Sequence, residues 1–379
     1  MEIGVYVHIP FCRQKCYYCD FPSASGSREM QKEYTKALCQ EIAAQGSSLS
    51  GETPTTLYIG GGTPTLLADE LLADILTTLQ QAFCWSETAE VTIEANPGTV
   101  TREKLDMLRQ GGVNRISFGV QSFADELLKR IGRIHSGNEA VAAVDLARAS
   151  GFENISLDLM YGLPGQSLSQ LKASVERALT LEIEHISIYG LQLEEGTVLA
   201  QLSQQGSLGL PDEEAVERMY DYITGELPRY GYERYEISNF ARRGFASRHN
   251  LGYWLDRPYI GIGAAAHSYY KNRRFANLAA VDEYVTSIFS GKRVAFEEEH
   301  MTREILMEEF CFLALRTSQG ILADAFARKF DCSLWSVYGE IIKQLTSQKL
   351  LTVDENGCRL TRLGMKYGNQ VFAAFLLDA

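Results

Sequence analysis

No apolar run in this 379-residue chain approaches the ~18 residues of a membrane-spanning helix, so nothing in it reads as a transmembrane segment. The opening residues, MEIGVYVHIPFC, lack a basic stretch followed by an apolar core, which excludes the pattern of a secretory signal. Cysteine is scarce, and eight thiols in 379 residues are too few for a disulfide scaffold. Positive charge is scarce too. Lys+Arg 36 against Asp+Glu 48 gives a net charge of −12. A surface of that sign repels phosphate on average and argues against general nucleic-acid binding. Hydrophobic residues at 45% and charged residues at 22% exclude disordered and fibrous classes. What is left is a cytoplasmic enzyme-like chain of more than one domain, since single cores stop growing near ~250–300 residues.

Short β-rich segments recur through the first half: Val5–Ile9, Thr56–Ile59, Glu90–Glu94, Arg115–Phe118, Ile155–Leu159 and His185–Tyr189. Helical patterns fall between them, around 28–45, 66–83, 101–110, 123–130, 137–150 and 167–180. Six strands alternating with helices imply a parallel sheet, and the expectation is an α/β fold with an incomplete (β/α)6 barrel over residues 1–195. The regularity then ends. Residues 211–229 read as a helix with Pro211 at its start, and 230–275 are rich in aromatics and arginine.

From about 300 the character changes again. Three amphipathic stretches (303–315, 321–330, 334–347) precede a hairpin whose turn, Asp354-Glu355-Asn356-Gly357, contains Asn-Gly. That order predicts a winged-helix-like α+β module over 300–379, leaving 196–299 as an extension between the two. Winged helices often bind DNA. This one carries nine Lys/Arg and nine Asp/Glu, and DNA affinity comes mainly from phosphate neutralisation, so a structural or protein-contact role is expected instead.

Three of the eight cysteines crowd together as Cys12-x3-Cys16-x2-Cys19, directly after the first strand. In a reducing compartment such crowding suggests a soft metal centre. Structural zinc wants four ligands and none completes the set, because His8 lies in the strand. A four-iron cluster held by three thiolates would keep one iron open for a non-protein ligand.

This spacing, after the first strand of a βα series, resembles the radical S-adenosylmethionine (SAM) superfamily. There a [4Fe–4S] cluster binds the amino and carboxylate groups of SAM at its open iron, and reductive cleavage yields a 5′-deoxyadenosyl radical. The Gly60-Gly61-Gly62-Thr63-Pro64-Thr65 turn looks like the superfamily's motif for the SAM amino group. Glu94, Gln121 and Asp158 stand at C-terminal strand ends, where ligands of parallel sheets gather.

The resemblance narrows further. His8-Ile9-Pro10-Phe11-Cys12, Tyr18-Cys19-Asp20-Phe21, Gly119-Val120-Gln121-Ser122-Phe123 and Asp158-Leu159-Met160-Tyr161-Gly162-Leu163-Pro164-Gly165 look like the oxygen-independent coproporphyrinogen oxidase group. It implies metal ligation by Cys12, Cys16 and Cys19. It also implies SAM contacts from Tyr6, Tyr18, Gly61, Gly62, Thr63, Glu94, Gln121, Arg133 and Asp158, with the Arg133 fork suited to a carboxylate. The true dehydrogenases of that group carry a fourth cysteine where Phe21 stands here, and a longer segment before the first cysteine. Both departures point to the other branch, the HemW haem chaperones.

His249-Asn250-Leu251-Gly252-Tyr253-Trp254 looks like the HNxxYW motif of that branch, whose histidine is associated with haem. Imidazole is a common axial ligand and aromatics can cover a porphyrin face. Residues 240–274 also hold Arg242, Arg243, Arg248, Arg257, Lys271, Arg273 and Arg274 against Asp256 alone. Such an excess would suit haem propionates or an anionic membrane surface visited transiently. His267, after a small-residue turn, is a second candidate for haem. The expectation is a chaperone with no assigned catalytic residue, carrying haem as cargo to haem proteins, respiratory enzymes among them. The alternative is a coproporphyrinogen III dehydrogenase using the same radical chemistry.

Overall fold

The computed structural model describes residues 2–49 and 51–377, the side chains of 297 and 298 excepted. Six parallel strands form its centre: β1 (Glu2–Ile9), β2 (Thr53–Gly61), β3 (Glu90–Ala95), β4 (Arg115–Gln121), β5 (Ile155–Tyr161) and β6 (His185–Gly190). They lie side by side in sequence order, as the alternation of strand and helix predicts. Their residues are buried almost continuously, because helices cover one face and side chains fill the other. Val5, Val7, Ile59, Ile93, Ile116, Leu157 and Ile186 belong to one core.

Several of the intervening helices start where the sequence supplies caps. Ser136 and Ser167 form capping boxes with Glu139 and Gln170, each satisfying backbone donors that the first helical turn would otherwise leave open. The expected helix over 211–229 runs from Glu213 to Glu226, because the Asp212 side chain caps it on Ala215 N and leaves Pro211 outside. A 3-10 turn, Leu227–Tyr230, continues it.

The stretch after 230 contributes to both ends of the same sheet. β7 (Glu233–Arg234) and β8 (Asn239–Ala241) extend it beyond β6. At the other end come β9 (Tyr259–Ile262), β10 (His267–Tyr270), β11 (Arg273–Asn277) and β12 (Ala295–His300). β9 pairs parallel to β1 over Gly4–Val7, a seventh parallel strand the sequence pattern does not announce. Since β1 pairs with β9 and β6 with β8, the sheet curves without closing. It is an incomplete barrel with a mixed rim.

Residues from about 300 build a separate α+β unit. Helices Arg303–Leu315, Ala323–Phe330 and Leu334–Ser347 pack with a sheet in which β13 (Ile321–Leu322) and β14 (Leu351–Asp354) flank β15 (Gly357–Leu360). Its core of Leu306, Cys311, Phe326, Tyr338, Ile342 and Phe375 also takes in Tyr269 from β10. The hairpin turn differs in detail from a simple Asn-Gly turn. Asp354 pairs with Gly357, so Glu355 and Asn356 are its central residues, and the Asp354 carboxylate accepts from Asn356 N and Gly357 N.

Candidate functional site

The C-terminal ends of β1–β6 open into a cavity of about 700 Å³. Thirteen of the residues that the sequence nominates, from Tyr6 and the three cysteines to Asp158 and His249, line it; His267, the second candidate for haem, does not. The thirteen come from strands β1 to β5, three connecting loops and the helix Arg248–Trp254, so only the fold brings them together.

The cysteine loop is tied down on both sides. Cys12 N donates to Ala24 O, Tyr17 N to Ile131 O, and Leu199 N to Tyr17 O. The glycine run holds its start, with Gly62 N on Ile9 O and Thr63 N on Phe11 O. Glycine is required here by space. A Cβ on Gly60 would stand 2.8 Å from the Glu94 carboxyl carbon, and one on Gly61, whose φ is +109°, would stand 2.4 Å from the His8 ring.

All three thiols are free and half-buried. Thr63 Oγ1 reaches Cys12 Sγ at 3.7 Å and Arg133 Nη1 reaches Cys16 Sγ at 3.4 Å, contacts that suit sulfur carrying negative charge. The donor set is soft and suits iron–sulfur chemistry. Among the described residues no three His, Cys, Asp or Glu side chains are grouped to hold a single metal ion. Cys12, Cys16 and Cys19 would be the residues to hold a cluster here, as thiolates.

The strand ends add a row of buried and half-buried polar groups to the same cavity. Glu94 accepts from Tyr58 Oη at 2.7 Å and from Gly61 N at 3.0 Å. Burial nonetheless pushes its carboxyl up to about 7, against those two donors and with Asp158 adding to the rise. Asp158 accepts from Ser117 Oγ at 3.3 Å, and burial raises its carboxyl too, opposed by Ser187 and Arg115. Gln121 is aimed by a bulge: the β4–β5 register shifts between Gly119 and Gln121, and Gln121 takes a left-handed φ of 67°.

Two contributors escape a sequence reading. Asn96 bridges Thr63 and Arg133, donating to Thr63 Oγ1 at 2.8 Å and accepting from Arg133 Nη2 at 2.6 Å. Tyr58 sits beside Tyr6 across β1 and β2 and anchors Glu94. The signal for Asn96 is its place just beyond a strand end, before Pro97-Gly98. For Tyr58 there is only an aromatic in a strand.

His249 lies on the helix Arg248–Trp254 and is 3% exposed. Its Nδ1 bonds Thr56 Oγ1 and its Nε2 bonds Tyr253 Oη, each at 2.8 Å. The Tyr58 ring stacks on it at 5.1 Å. Burial, reinforced by the Arg115 charge, pushes its imidazole down to about 3, so it is neutral at ordinary pH. It borders the cavity with both ring nitrogens already engaged. The local excess of arginine is largely engaged as well: Arg242 lies over the Tyr232 ring, Arg248 on Thr88 O, Arg257 with Glu2, and Arg274 with Glu309. No helix of the described residues is long and apolar enough to cross a membrane.

A sequence profile of the radical SAM superfamily matches residues 6–178, and one of the HemN C-terminal domain matches 301–367. The protein named heme chaperone HemW of Lactococcus lactis subsp. lactis is 41% identical over 99% of this chain and 97% of its own length. The protein of that name in Bacillus subtilis is 40% identical over 98% of this chain and 99% of its own length. Among solved structures, the radical SAM enzyme coproporphyrinogen III oxidase (HemN) of Escherichia coli superposes with a TM-score of 0.87. That match covers 99% of this chain and 90% of the other, at 23% identity, and so speaks for the fold alone. Likeness of this extent at about 40% identity, joined to the cysteine loop and strand-end residues around one cavity, leaves a single assignment: the chain belongs to the radical SAM superfamily and, within it, to the HemW family.

Proposed function

We propose that this protein is a haem chaperone: it binds haem and passes it to haem proteins, on a scaffold that binds SAM and a [4Fe–4S] cluster. The observation that carries this reading is the near full-length likeness, at 40–41% identity, to proteins named heme chaperone HemW. The HNxxYW segment supports it, since His249 and Tyr253 both border the large cavity. The work divides among residues 1–195 for SAM and cluster, 196–299 for haem, and 300–379 for contact with acceptor proteins, respiratory enzymes among them. Its setting would be the cytoplasm, with membrane contact at most transient.

The side chains fit their assigned parts. Cys12, Cys16 and Cys19 would hold the cluster as thiolates, and Thr63 and Arg133 would steady the charge on two of those sulfurs. Together, cluster and SAM would supply one-electron reductive chemistry at the sulfonium. Arg133 would orient the SAM carboxylate, while Asn96 fixes the plane of its guanidinium. Glu94, Gln121 and Asp158 would present acceptors for amino and hydroxyl groups, and Tyr6 and Tyr18 add aromatic wall to the cavity. Gly61 and Gly62 keep that wall bare, and Thr63 ties it to Asn96.

The test is delivery. Chain loaded with haemin, mixed anaerobically with an apo-peroxidase, should restore peroxidase activity faster than albumin-bound haemin does. Transfer no faster than that control overturns the reading. Sustained decarboxylation of coproporphyrinogen III with SAM and reductant would replace it with the dehydrogenase function, against which Phe21 stands in place of a fourth cysteine.

A further inference from the structure

A second cavity, of about 480 Å³, adjoins the first, and Tyr6, Phe21 and Tyr253 line both. We propose that this second cavity seats the porphyrin ring and that His267, rather than His249, is the iron ligand. The inference rests on the chain carrying haem.

The volume is that of a small-molecule site, and its walls suit a flat aromatic ring. Tyr253 and Trp254 of the HNxxYW segment face it, together with Tyr259, Tyr269 and Phe21. Phe21 is 61% exposed, and an uncovered aromatic of that size beside a cavity is a contact surface in waiting. The motif thus divides: Trp254 lines the second cavity, Tyr253 lines both, and His249 lines the first but not the second.

The two histidines differ in availability. His249 is 3% exposed and could reach iron only by giving up Thr56 or Tyr253. His267 is exposed at the edge of the second cavity, and its ring forms no hydrogen bond or ion pair with the described residues. His8 also lines this cavity, but its nitrogens bond Tyr6 Oη and Pro22 O. An open imidazole beside aromatic walls is what an axial ligand requires.

The backbone that presents His267 is rigid. The turn before it takes left-handed φ at Gly263 (+104°) and Ala265 (+59°). Glu41, buried in the helix Arg28–Ser48, holds that turn by accepting from Gly263 N at 2.8 Å and Asn277 Nδ2 at 2.7 Å. Arg257 and Arg274 line the cavity and suit the two propionates. Each already holds one carboxylate, Glu2 and Glu309 respectively, and a guanidinium has five donors, so further carboxylate contacts fit. Asp256, the acid in this wall, is neutralised by Lys329.

Haemin and iron-free protoporphyrin IX, titrated into the full cluster-loaded chain, test the assignment. The unaltered chain should take one haemin saturably. His267→Ala should lose the imidazole-ligated Soret spectrum and bind haemin roughly tenfold more weakly, about 1.4 kcal/mol, and added imidazole should restore the spectrum. Because His267 is exposed, this variant leaves the core intact. Protoporphyrin cannot be ligated, so its binding should survive His267→Ala but weaken in Leu313→Trp, because Leu313 lines the second cavity and a larger side chain there narrows it. Haemin bound by His267→Ala with unchanged spectrum and affinity overturns the assignment and leaves haem carriage standing. Imidazole rescue confined to His249→Ala does the same. No saturable haemin binding by the unaltered chain overturns haem carriage itself.

Discussion

At the scale of single residues, the cavity combines groups of opposite demand. Three thiols would hold the proposed cluster, and two carboxyls lining the same cavity are pushed towards neutrality by burial. Replacing Cys16 with Ala should abolish the iron–sulfur absorption of the reconstituted chain, and an unchanged spectrum would remove Cys16 from the ligands. Glu94 gives a pH prediction. Its folded value of about 7 stands above the ordinary 4.5, so its share of stability is fully present below 4.5 and falls as pH rises to 7. SAM binding through the ionised carboxylate should run the opposite way and strengthen across pH 7. Tyr58→Phe removes a donor to the charged form, so the midpoint should move up by about one unit, the worth of one hydrogen bond near 1.4 kcal/mol. Calorimetric SAM titrations between pH 6 and 8.5 would show this; an unmoved midpoint would exclude Glu94 as the titrating group. The cysteines, the glycine run and Glu94 were legible because their chemistry is local to a motif. Asn96 was not, since its role exists only once β3, the glycine turn and Arg133 meet.

At the scale of elements, the six central strands and their helices could be read from periodicity because each unit is contiguous in sequence. β9 to β12 could not. They are short, and β9 finds its partner, β1, more than 250 residues away in the chain, a pairing that no local pattern encodes. What secures that rim is a buried carboxylate rather than a long apolar run. Glu41 accepts from Gly263 N, Asn277 Nδ2 and Tyr284 Oη. Burial raises its carboxyl while these three donors oppose the rise. Glu41→Ala would strand three buried donors, and at 1–3 kcal/mol for an unsatisfied group the loss should be roughly 3 kcal/mol or more. Glu41→Gln keeps the shape and should cost about 1 kcal/mol. Urea unfolding measures both, and hydrogen exchange should show the loss concentrated in residues 259–284. Equal costs for the two variants would mean that packing volume, not donor satisfaction, fixes the rim.

At the scale of the whole molecule, the order of parts was readable but not their embrace. A change in composition near 300 marks the C-terminal unit, yet its contacts join residues far apart in sequence. Some are exposed ion pairs: Arg362 with Asp221, and Lys366 with Glu217 and Asp221. Such pairs contribute ~0–1 kcal/mol and fade with salt. Arg316 is another matter. It stacks on Trp254 of the HNxxYW segment at 4.4 Å and also faces Phe372, while the bridge Glu236–Thr317 and the bond from Ser318 N to Tyr235 O stitch the neighbouring backbone. A half-buried cation–π contact is worth about 1 to 2 kcal/mol, so Arg316→Ala should cost about that much. Lys366→Ala should stay within ~0.5 kcal/mol and lose even this in high salt. Because Arg316 links the HNxxYW segment to Phe372 of the C-terminal unit, its loss should also split thermal unfolding into two calorimetric transitions, the C-terminal unit melting first. A single transition shifted no further by Arg316→Ala than by Lys366→Ala would mean that the apolar contact through Tyr269, not the stacked arginine, couples the two parts.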